Sequence, residues 1–181
     1  MSDFTVHTPE TAPEGSRAAL TELRERIGFI PNLAGMIGGA PAAIVSFNAQ
    51  QSALRETALT GAEREVVGIT VSLANSSPYS MAAHSTFASR FGLPADVIEA
   101  LRADKEIADP RLHQLREFTR TLLNERGHVT KDSVEAMRRA GFGPDQILEV
   151  VTQAAYTTMA NWMANVGDTP VDAAFQPMVW P

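Results

Sequence analysis

Apolar residues recur along this chain at the three- and four-residue spacing of helices, and no segment alternates apolar and polar residues as a strand does. One stripe, Leu20, Leu23 and Ile27, ends at Gly28, a natural helix stop. The backbone N–H at the first position of a helix has no partner within the helix, so a proline, which has no N–H, loses no hydrogen bond there. Five prolines stand where a helix could begin: Pro41, Pro78, Pro94, Pro110 and Pro144. The chain is therefore predicted to be all-α.

The helices are expected to cover most of the chain. Predicted spans are about residues 16–27, 41–56, 60–74, 78–90, 130–139 and 144–166, with further helices that begin near residues 94 and 110. Residues 1–13 are expected to form an extended arm. Short loops join the helices, which favours antiparallel neighbours in a helical bundle. No repeat or change of composition marks a second domain, so residues 1–181 are expected to form one domain.

Composition narrows the range of partners. The net charge of −6 and the isoelectric point near 5.2 do not favour a surface that neutralises phosphates, so nucleic acid is not an expected partner. No apolar run reaches the length that crosses a bilayer, so no membrane partner is expected. Residues 1–14 lack the apolar core of a signal peptide, and a cytoplasmic location is the expectation.

Cysteine is absent from the sequence. Disulfides, thiolate nucleophiles and cysteine-ligated metals are therefore excluded. His7, His113 and His128 stand apart with no paired spacing, so a metal site built from them is not expected. No glycine motif for binding phosphate is present either, and the chain is expected to use no cofactor.

The most specific pattern lies in residues 60–91. Thr60 and Glu63 have the spacing of a capping box. The helix that follows is apolar on nearly every face, as buried helices are. Glu65 shares a face with Ile69 and Leu73 of that helix. A buried carboxylate there would need a partner or its pKa would rise, and the alternative is that Glu65 lies near solvent and pairs with an arginine.

Ser77, Ser80 and His84 follow at i, i+3 and i+7, which places them along one face of the next helix. Each also has an ordinary structural interpretation. Ser77 is a good N-cap before Pro78, Ser80 is a common kind of first-turn residue, and His84 could be a hydrogen-bonded or surface histidine. Tyr79 lies in the same first turn, where it could line a pocket or simply pack.

The spacing Glu65-x11-Ser77-x2-Ser80-x3-His84 resembles the Glu-x11-Cys-x2-Cys-x3-His signature of the AhpD-like, or carboxymuconolactone decarboxylase, family, with serine at both cysteine positions. Residues 28–33 resemble the entry segment of proteins in the peroxidase-related branch of that family, and residues 161–175 resemble their C-terminus. The resemblance spans nearly the whole chain. It implies an AhpD-like helical bundle.

The same resemblance implies the roles of the site residues. In AhpD-like peroxidases a dithiol reduces a hydroperoxide and becomes a disulfide, which a reductant restores. Glu65 and His84 would form the proton relay, with His84 near the second sulfur position. The catalytic candidates are thus Glu65, Ser77, Ser80 and His84, and Tyr79 is the candidate for binding substrate. Serine has no accessible sulfenic or disulfide state, so we predict that the chain is inactive as a thiol peroxidase.

Three functions remain open. The chain could be an antioxidant alkylhydroperoxidase whose dithiol is absent, or a ligand-binding protein without catalysis. It could also be a non-redox acid–base enzyme that resembles carboxymuconolactone decarboxylases, in which Glu65 and His84 exchange protons with the substrate. The substrate would be a small molecule, either a hydroperoxide or a carboxylate or lactone. No cluster of arginines is evident near the motif to hold a dianion.

The last predicted helix suggests assembly. Ala154, Ala155 and Ala160 allow another helix to approach closely, and the resemblance implies a homo-oligomer. Three larger residues, Met159, Trp162 and Met163, are expected to pack in a core or a subunit interface.

Overall fold

A computed structural model describes residues 4–180, and within them the chain is helical with no strand, so the all-α prediction is confirmed. The helices, in chain order, are α1 (Glu14–Ile27), α2 (Asn32–Ile37), α3 (Pro41–Ala53), α4 (Gly61–Ala74), α5 (Pro78–Arg90), α6 (Ala95–Arg102), α7 (Pro110–Asn124), α8 (Lys131–Arg139) and α9 (Pro144–Val166). Two 3₁₀ helices, Leu54–Glu56 and Ala173–Met178, complete the elements.

Side-chain caps fix the starts of two helices. The Thr60 hydroxyl accepts the Glu63 N–H at 3.2 Å, and the Glu63 carboxylate accepts the Thr60 N–H at 2.8 Å, so the capping box is present. The carboxylate of Asp109 likewise caps α7 by accepting the N–H groups of Arg111 and Leu112. These bonds satisfy N–H groups that a helix start leaves free, and they fix where α4 and α7 begin.

Two elements depart from the prediction. The glycine-containing stretch before Pro41 contains α2, because close packing outweighs the low helix propensity of glycine. A Cβ on Gly35 would lie 2.7 Å from Cγ1 of Val6 and 2.8 Å from the carbonyl oxygen of His7, so only glycine fits. The second difference is the 3₁₀ helix at Ala173–Met178, which the sequence pattern did not predict. The predicted arm lies partly outside the described residues, and residues 4–13 contain no helix.

Helix α4 lies at the centre of the molecule, where it contacts α5, α7 and α9. Its apolar residues are fully buried, as their all-round pattern predicts: Val66, Val67, Ile69 and Val71. One hydrophobic cluster joins α4 to α7, α8 and α9. A second cluster joins α1, α2 and α3 to α5 and α9. The face of α5 that carries the motif therefore meets the second cluster.

The segment after α9 folds back over α2 and α5. The buried Asp172 carboxylate accepts the Asn32 N–H at 3.0 Å and the Tyr79 hydroxyl at 2.7 Å. Phe175 then inserts its ring into the second hydrophobic cluster. Arg102 holds the far end of the segment by donating to the carbonyl of Met178 at 2.9 Å. This C-terminal segment thus fixes the start of α5 from one side.

None of the helices between residues 4 and 180 combines the length and the apolar character that crossing a membrane requires.

Candidate functional site

A partly buried histidine–carboxylate pair joins α4 to α5. Nδ1 of His84 lies 2.7 Å from Oε2 of Glu65, and Glu65 is only 8% exposed. The partner of Glu65 is therefore the histidine on the neighbouring helix and not an arginine near solvent. Because a carboxylate accepts hydrogen bonds, this contact assigns the ring proton to Nδ1. Nε2 has no hydrogen-bond partner within residues 4–180 and can accept or donate a proton elsewhere.

Gly68 makes room for the imidazole ring. It lies three residues after Glu65 on the same face of α4, and a Cβ at this position would lie 2.7 Å from Cε1 and 2.8 Å from Cγ of His84. Glycine inside a helix costs about 0.5–1 kcal/mol relative to alanine. That cost has a structural reason here, since the ring of His84 occupies the space where a side chain would be.

The pair forms part of the wall of a cavity of about 230 Å³. Glu65, Tyr79, Ser80 and His84 all line this cavity, which brings four of the five candidate site residues together. Much of the remaining wall is aromatic, formed by Phe47, Phe87, Phe91, Tyr156 and Phe175. An apolar cavity with a few convergent polar groups is the usual form of a site for a small molecule.

Ser77, the fifth candidate, lies behind this wall and does not line the cavity. It is 0% exposed, and its Oγ has no hydrogen-bond partner in the described part of the chain. The residue occupies the N-cap position of α5, but its side chain makes no capping bond. The structural interpretation of Ser77 as an N-cap therefore holds for its backbone position only.

Tyr79 contributes its ring to the cavity while its hydroxyl is already engaged. The hydroxyl donates to Asp172 at 2.7 Å and accepts the Leu33 N–H at 3.3 Å. Burial, together with the hydrogen bond and negative charge of Asp172, raises the pKa of Tyr79. Burial likewise raises the pKa of Tyr156. Both phenols are thus neutral near pH 7, and neither competes with His84 as a base.

Two arginines, Arg55 and Arg64, line the cavity, although the sequence shows no cluster of arginines near the motif. Arg64 is held in place by its bond from Nη1 to the Leu59 carbonyl at 2.9 Å and lies over the ring of Phe91. Arg55 is exposed and makes no hydrogen bond or ion pair with any residue between 4 and 180. Arg64 stands directly before Glu65 in the sequence, and this neighbour could have indicated that Arg64 lies near the cavity. Arg55 gave no such signal.

A second, apolar concavity of about 540 Å³ lies between α7 and α9. Met159, Trp162 and Met163 line it, and Trp162 is 61% exposed. Trp162 therefore does not pack in the core of this chain. The lining carries no charged side chain, so this surface offers no acid–base chemistry.

Comparison with known proteins finds one family model that matches part of the chain. Residues 39–120 match the model of the carboxymuconolactone decarboxylase family, a span that begins before α3 and includes the whole motif from Glu65 to His84. No curated protein matches the chain.

Three solved structures share the fold. A peroxidase-related protein from Ralstonia eutropha JMP134, described as an alkylhydroperoxidase AhpD core, is 23% identical with a TM-score of 0.85, over 98% of this chain and 95% of that one. A peroxidase-related protein from Silicibacter sp. TM1040 is 19% identical with a TM-score of 0.80, over 96% and 92%. A cysteine-to-alanine variant of the debrominase Bmp8, in complex with 2,3,4-tribromopyrrole, is 17% identical with a TM-score of 0.76, over 98% and 97%. The AhpD-like fold is thereby confirmed.

Replacing Gly68 by alanine tests the packing of His84. The new methyl group would occupy the space of the imidazole ring, so Gly68→Ala should displace the ring and break its bond to Glu65. We expect a folded protein that loses the downfield proton resonance of Nδ1 in a ¹⁵N-edited NMR spectrum. Gly61→Ala is a matched control on the same helix, since its Cβ would meet the half-exposed ring of Phe91 and not the ring of His84. An unchanged His84 resonance in Gly68→Ala would contradict this packing.

Proposed function

We propose that this chain, a member of the carboxymuconolactone decarboxylase family with an AhpD-like fold, is a non-thiol enzyme that transfers protons to and from a small apolar substrate. The observation that carries the proposal is the contact of 2.7 Å between Glu65 and His84 at the wall of an apolar cavity, in a chain without cysteine. The pair is complete although the sulfur chemistry of AhpD-like peroxidases is not possible.

His84 is the proposed base. Its Nε2 is unpaired, and the residue lines the cavity, so a proton on a bound substrate is within its reach. Glu65 holds the ring in one tautomer and stabilises the imidazolium that forms when Nε2 takes a proton. A proton on carbon next to a carbonyl group is a suitable target, because the charge that develops is shared with the carbonyl oxygen. The same imidazolium can return the proton at another position.

The lining favours a carboxylate or lactone over a hydroperoxide as the substrate. The aromatic wall suits a compact apolar body, and the cavity of about 230 Å³ limits its size. Arg55 provides a positive charge at the cavity that no described residue neutralises, which suits an anionic group on the substrate. A hydroperoxide would need a thiol to accept its oxygen, and this chain has none.

The second candidate function is that of a dithiol peroxidase scaffold in which serines occupy the cysteine positions. Ser77 and Ser80 lie one turn apart at the start of α5, where a thiolate would be stabilised by the helix dipole. His84 follows Ser80 by one further turn and keeps its bond to Glu65. These positions support the proposal that the chain derives from a dithiol peroxidase whose relay is still intact.

The exposed face of α9 supports a proposed homo-oligomer. Leu148, Val151, Trp162 and Val166 are exposed apolar residues on this one helix. Two of them, Val151 and Trp162, line the concavity between α7 and α9. Contiguous apolar surface of this kind is characteristic of protein–protein contacts, and a second copy of the chain is the partner that the family resemblance implies.

Proton transfer can be measured with a simple ketone. Phenylacetone has an aromatic body and acidic protons next to its carbonyl, and their exchange with D₂O is followed by ¹H NMR. The protein should accelerate this exchange above the buffer rate, and Glu65→Gln and His84→Ala should each reduce the acceleration by roughly 10²–10⁴-fold, the usual contribution of a positioned base. His113→Ala is the control, because His113 does not line the cavity. Equal exchange in all four proteins would reject the proposal.

Restoring the cysteines tests the second candidate. The double variant Ser77→Cys/Ser80→Cys should gain turnover of an alkyl hydroperoxide with a dithiol reductant, whereas the unaltered chain should show none. Adding Glu65→Gln to the double variant should remove most of the gain. If the double variant folds, has two titratable thiols and shows no turnover, the relay of the scaffold is not that of a dithiol peroxidase.

A further inference from the structure

The first turn of α5 contains a buried polar atom that the proposed proton transfer does not use. Ser77 is 0% exposed, and its hydroxyl oxygen has no partner in the part of the chain that the structure describes. Leaving a buried hydroxyl without a partner is costly, and native proteins rarely do so without a reason. Ser77 lies behind the cavity wall, so the hydroxyl of this segment that a substrate in the cavity can reach is that of Ser80.

Ser80, one turn further, places a second hydroxyl at the cavity wall. The residue is 3% exposed and lines the cavity, and its Oγ has no hydrogen bond to any residue from 4 to 180. Ser80 lies four residues before His84 on the same helix face, so their Cβ atoms are about 5–6 Å apart. That separation leaves space for one carbonyl oxygen beside Ser80 and its neighbouring carbon beside His84.

The helix itself adds positive potential at this turn. Helix α5 spans 13 residues and begins with Pro78, and the N–H of Met81 is the one that bonds to the carbonyl of Ser77, at 2.9 Å. The N–H groups of Tyr79 and Ser80 precede that bond and point toward the helix start. Free N–H groups and the helix dipole together favour an anion at a helix N-terminus.

We propose that the first turn of α5 is an oxyanion subsite for a carbonyl-containing substrate, an inference that rests on the proposed function. When His84 Nε2 removes the proton next to the carbonyl, the electron pair of the broken C–H bond forms a carbon–carbon double bond, and the negative charge moves onto the oxygen. The Ser80 hydroxyl and the N–H groups of the turn then hydrogen-bond that oxygen. Hydrogen bonds of this kind strengthen as charge develops, and they lower the barrier.

Serine is suited to this task in a way that cysteine is not. A thiolate at the same position would place a negative charge next to the developing oxyanion and repel it. The neutral hydroxyl of Ser80 instead donates a hydrogen bond. The helix dipole at this turn would stabilise a thiolate in relatives that have a cysteine there. The subsite gives a chemical reason for serine at this position in this chain.

A phenol of suitable acidity reports on the subsite without any turnover. 4-Nitrophenolate carries its charge on one oxygen, absorbs visible light in its ionised form and has an apolar ring for the cavity. The protein should bind 4-nitrophenolate more tightly than the neutral phenol, so that the pKa of the bound phenol falls below its value in water. Ser80→Ala should weaken binding of the phenolate about tenfold, because a hydrogen bond to a charged group is lost. The same variant should bind the neutral ether 4-nitroanisole as the unaltered chain does.

Two control variants locate the group that holds the anion. Ser89→Ala, at an exposed serine on the same helix, should leave the binding of both ligands unchanged. Arg55→Gln distinguishes the subsite from a simple attraction at the cavity mouth. If Arg55→Gln abolishes the preference for phenolate and Ser80→Ala does not, the anion is held by Arg55 and the subsite is rejected. Equal weakening of phenolate and anisole by Ser80→Ala, or no preference for phenolate in the unaltered chain, also rejects it.

The subsite and the proposed function can fail separately. If phenolate binding depends on Ser80 but the ketone shows no accelerated exchange, the subsite is supported and the proposed role of His84 as a base is rejected. If exchange depends on His84 while Ser80→Ala changes neither phenolate binding nor exchange, the base stands and the subsite is wrong.

Discussion

The hydrogen bond between Glu65 and His84 is the interaction on which the site depends, because it connects the two helices that form the motif. It requires α4 and α5 to pack so closely that the imidazole ring occupies the space of a missing side chain at Gly68. The C-terminal segment holds the other side of α5 through the bond from Tyr79 to Asp172. A buried carboxylate needs such a partner, so the pair also explains how α4 can be apolar on all faces except one.

Serine at both positions of the dithiol signature excludes sulfur chemistry at this site, while the contact between Glu65 and His84 is present. A thiol pair would make the start of α5 a redox centre, with the histidine and the carboxylate moving protons for it. With Ser77 and Ser80 in those positions, proton transfer is the chemistry that we propose, and an apolar cavity would strengthen its electrostatics. In the proposed reaction, His84 would act on the carbon, Ser80 on the oxygen and Arg55 on an anionic group of one substrate.

Sequence reasoning anticipates what is local and misses what is brought together by folding. The capping box at Thr60 and the start of α5 at Pro78 follow from spacing alone, since they involve neighbours within one turn. The pairing of Glu65 with His84 was available only through the family resemblance, as residues 19 apart give no direct sign of contact. Arg55 and Phe175 reach the cavity from elements far apart in the chain, and nothing in their own surroundings in the sequence marks them. The burial of Ser77 without a partner is likewise a tertiary fact.

The most direct measurement of the proposed chemistry is a crystal structure with 4-nitrophenolate bound in the cavity. A ligand placed for proton transfer would have its ring against the aromatic wall, its oxygen about 2.6–3.2 Å from Ser80 Oγ, and the ring carbon next to the C–O bond facing His84 Nε2. That position would show that the unpaired nitrogen and the first turn of α5 act on the same reacting group. A phenolate bound at Arg55 with its ring turned toward solvent, or a His84 ring whose Nε2 faces away from the cavity, would contradict it.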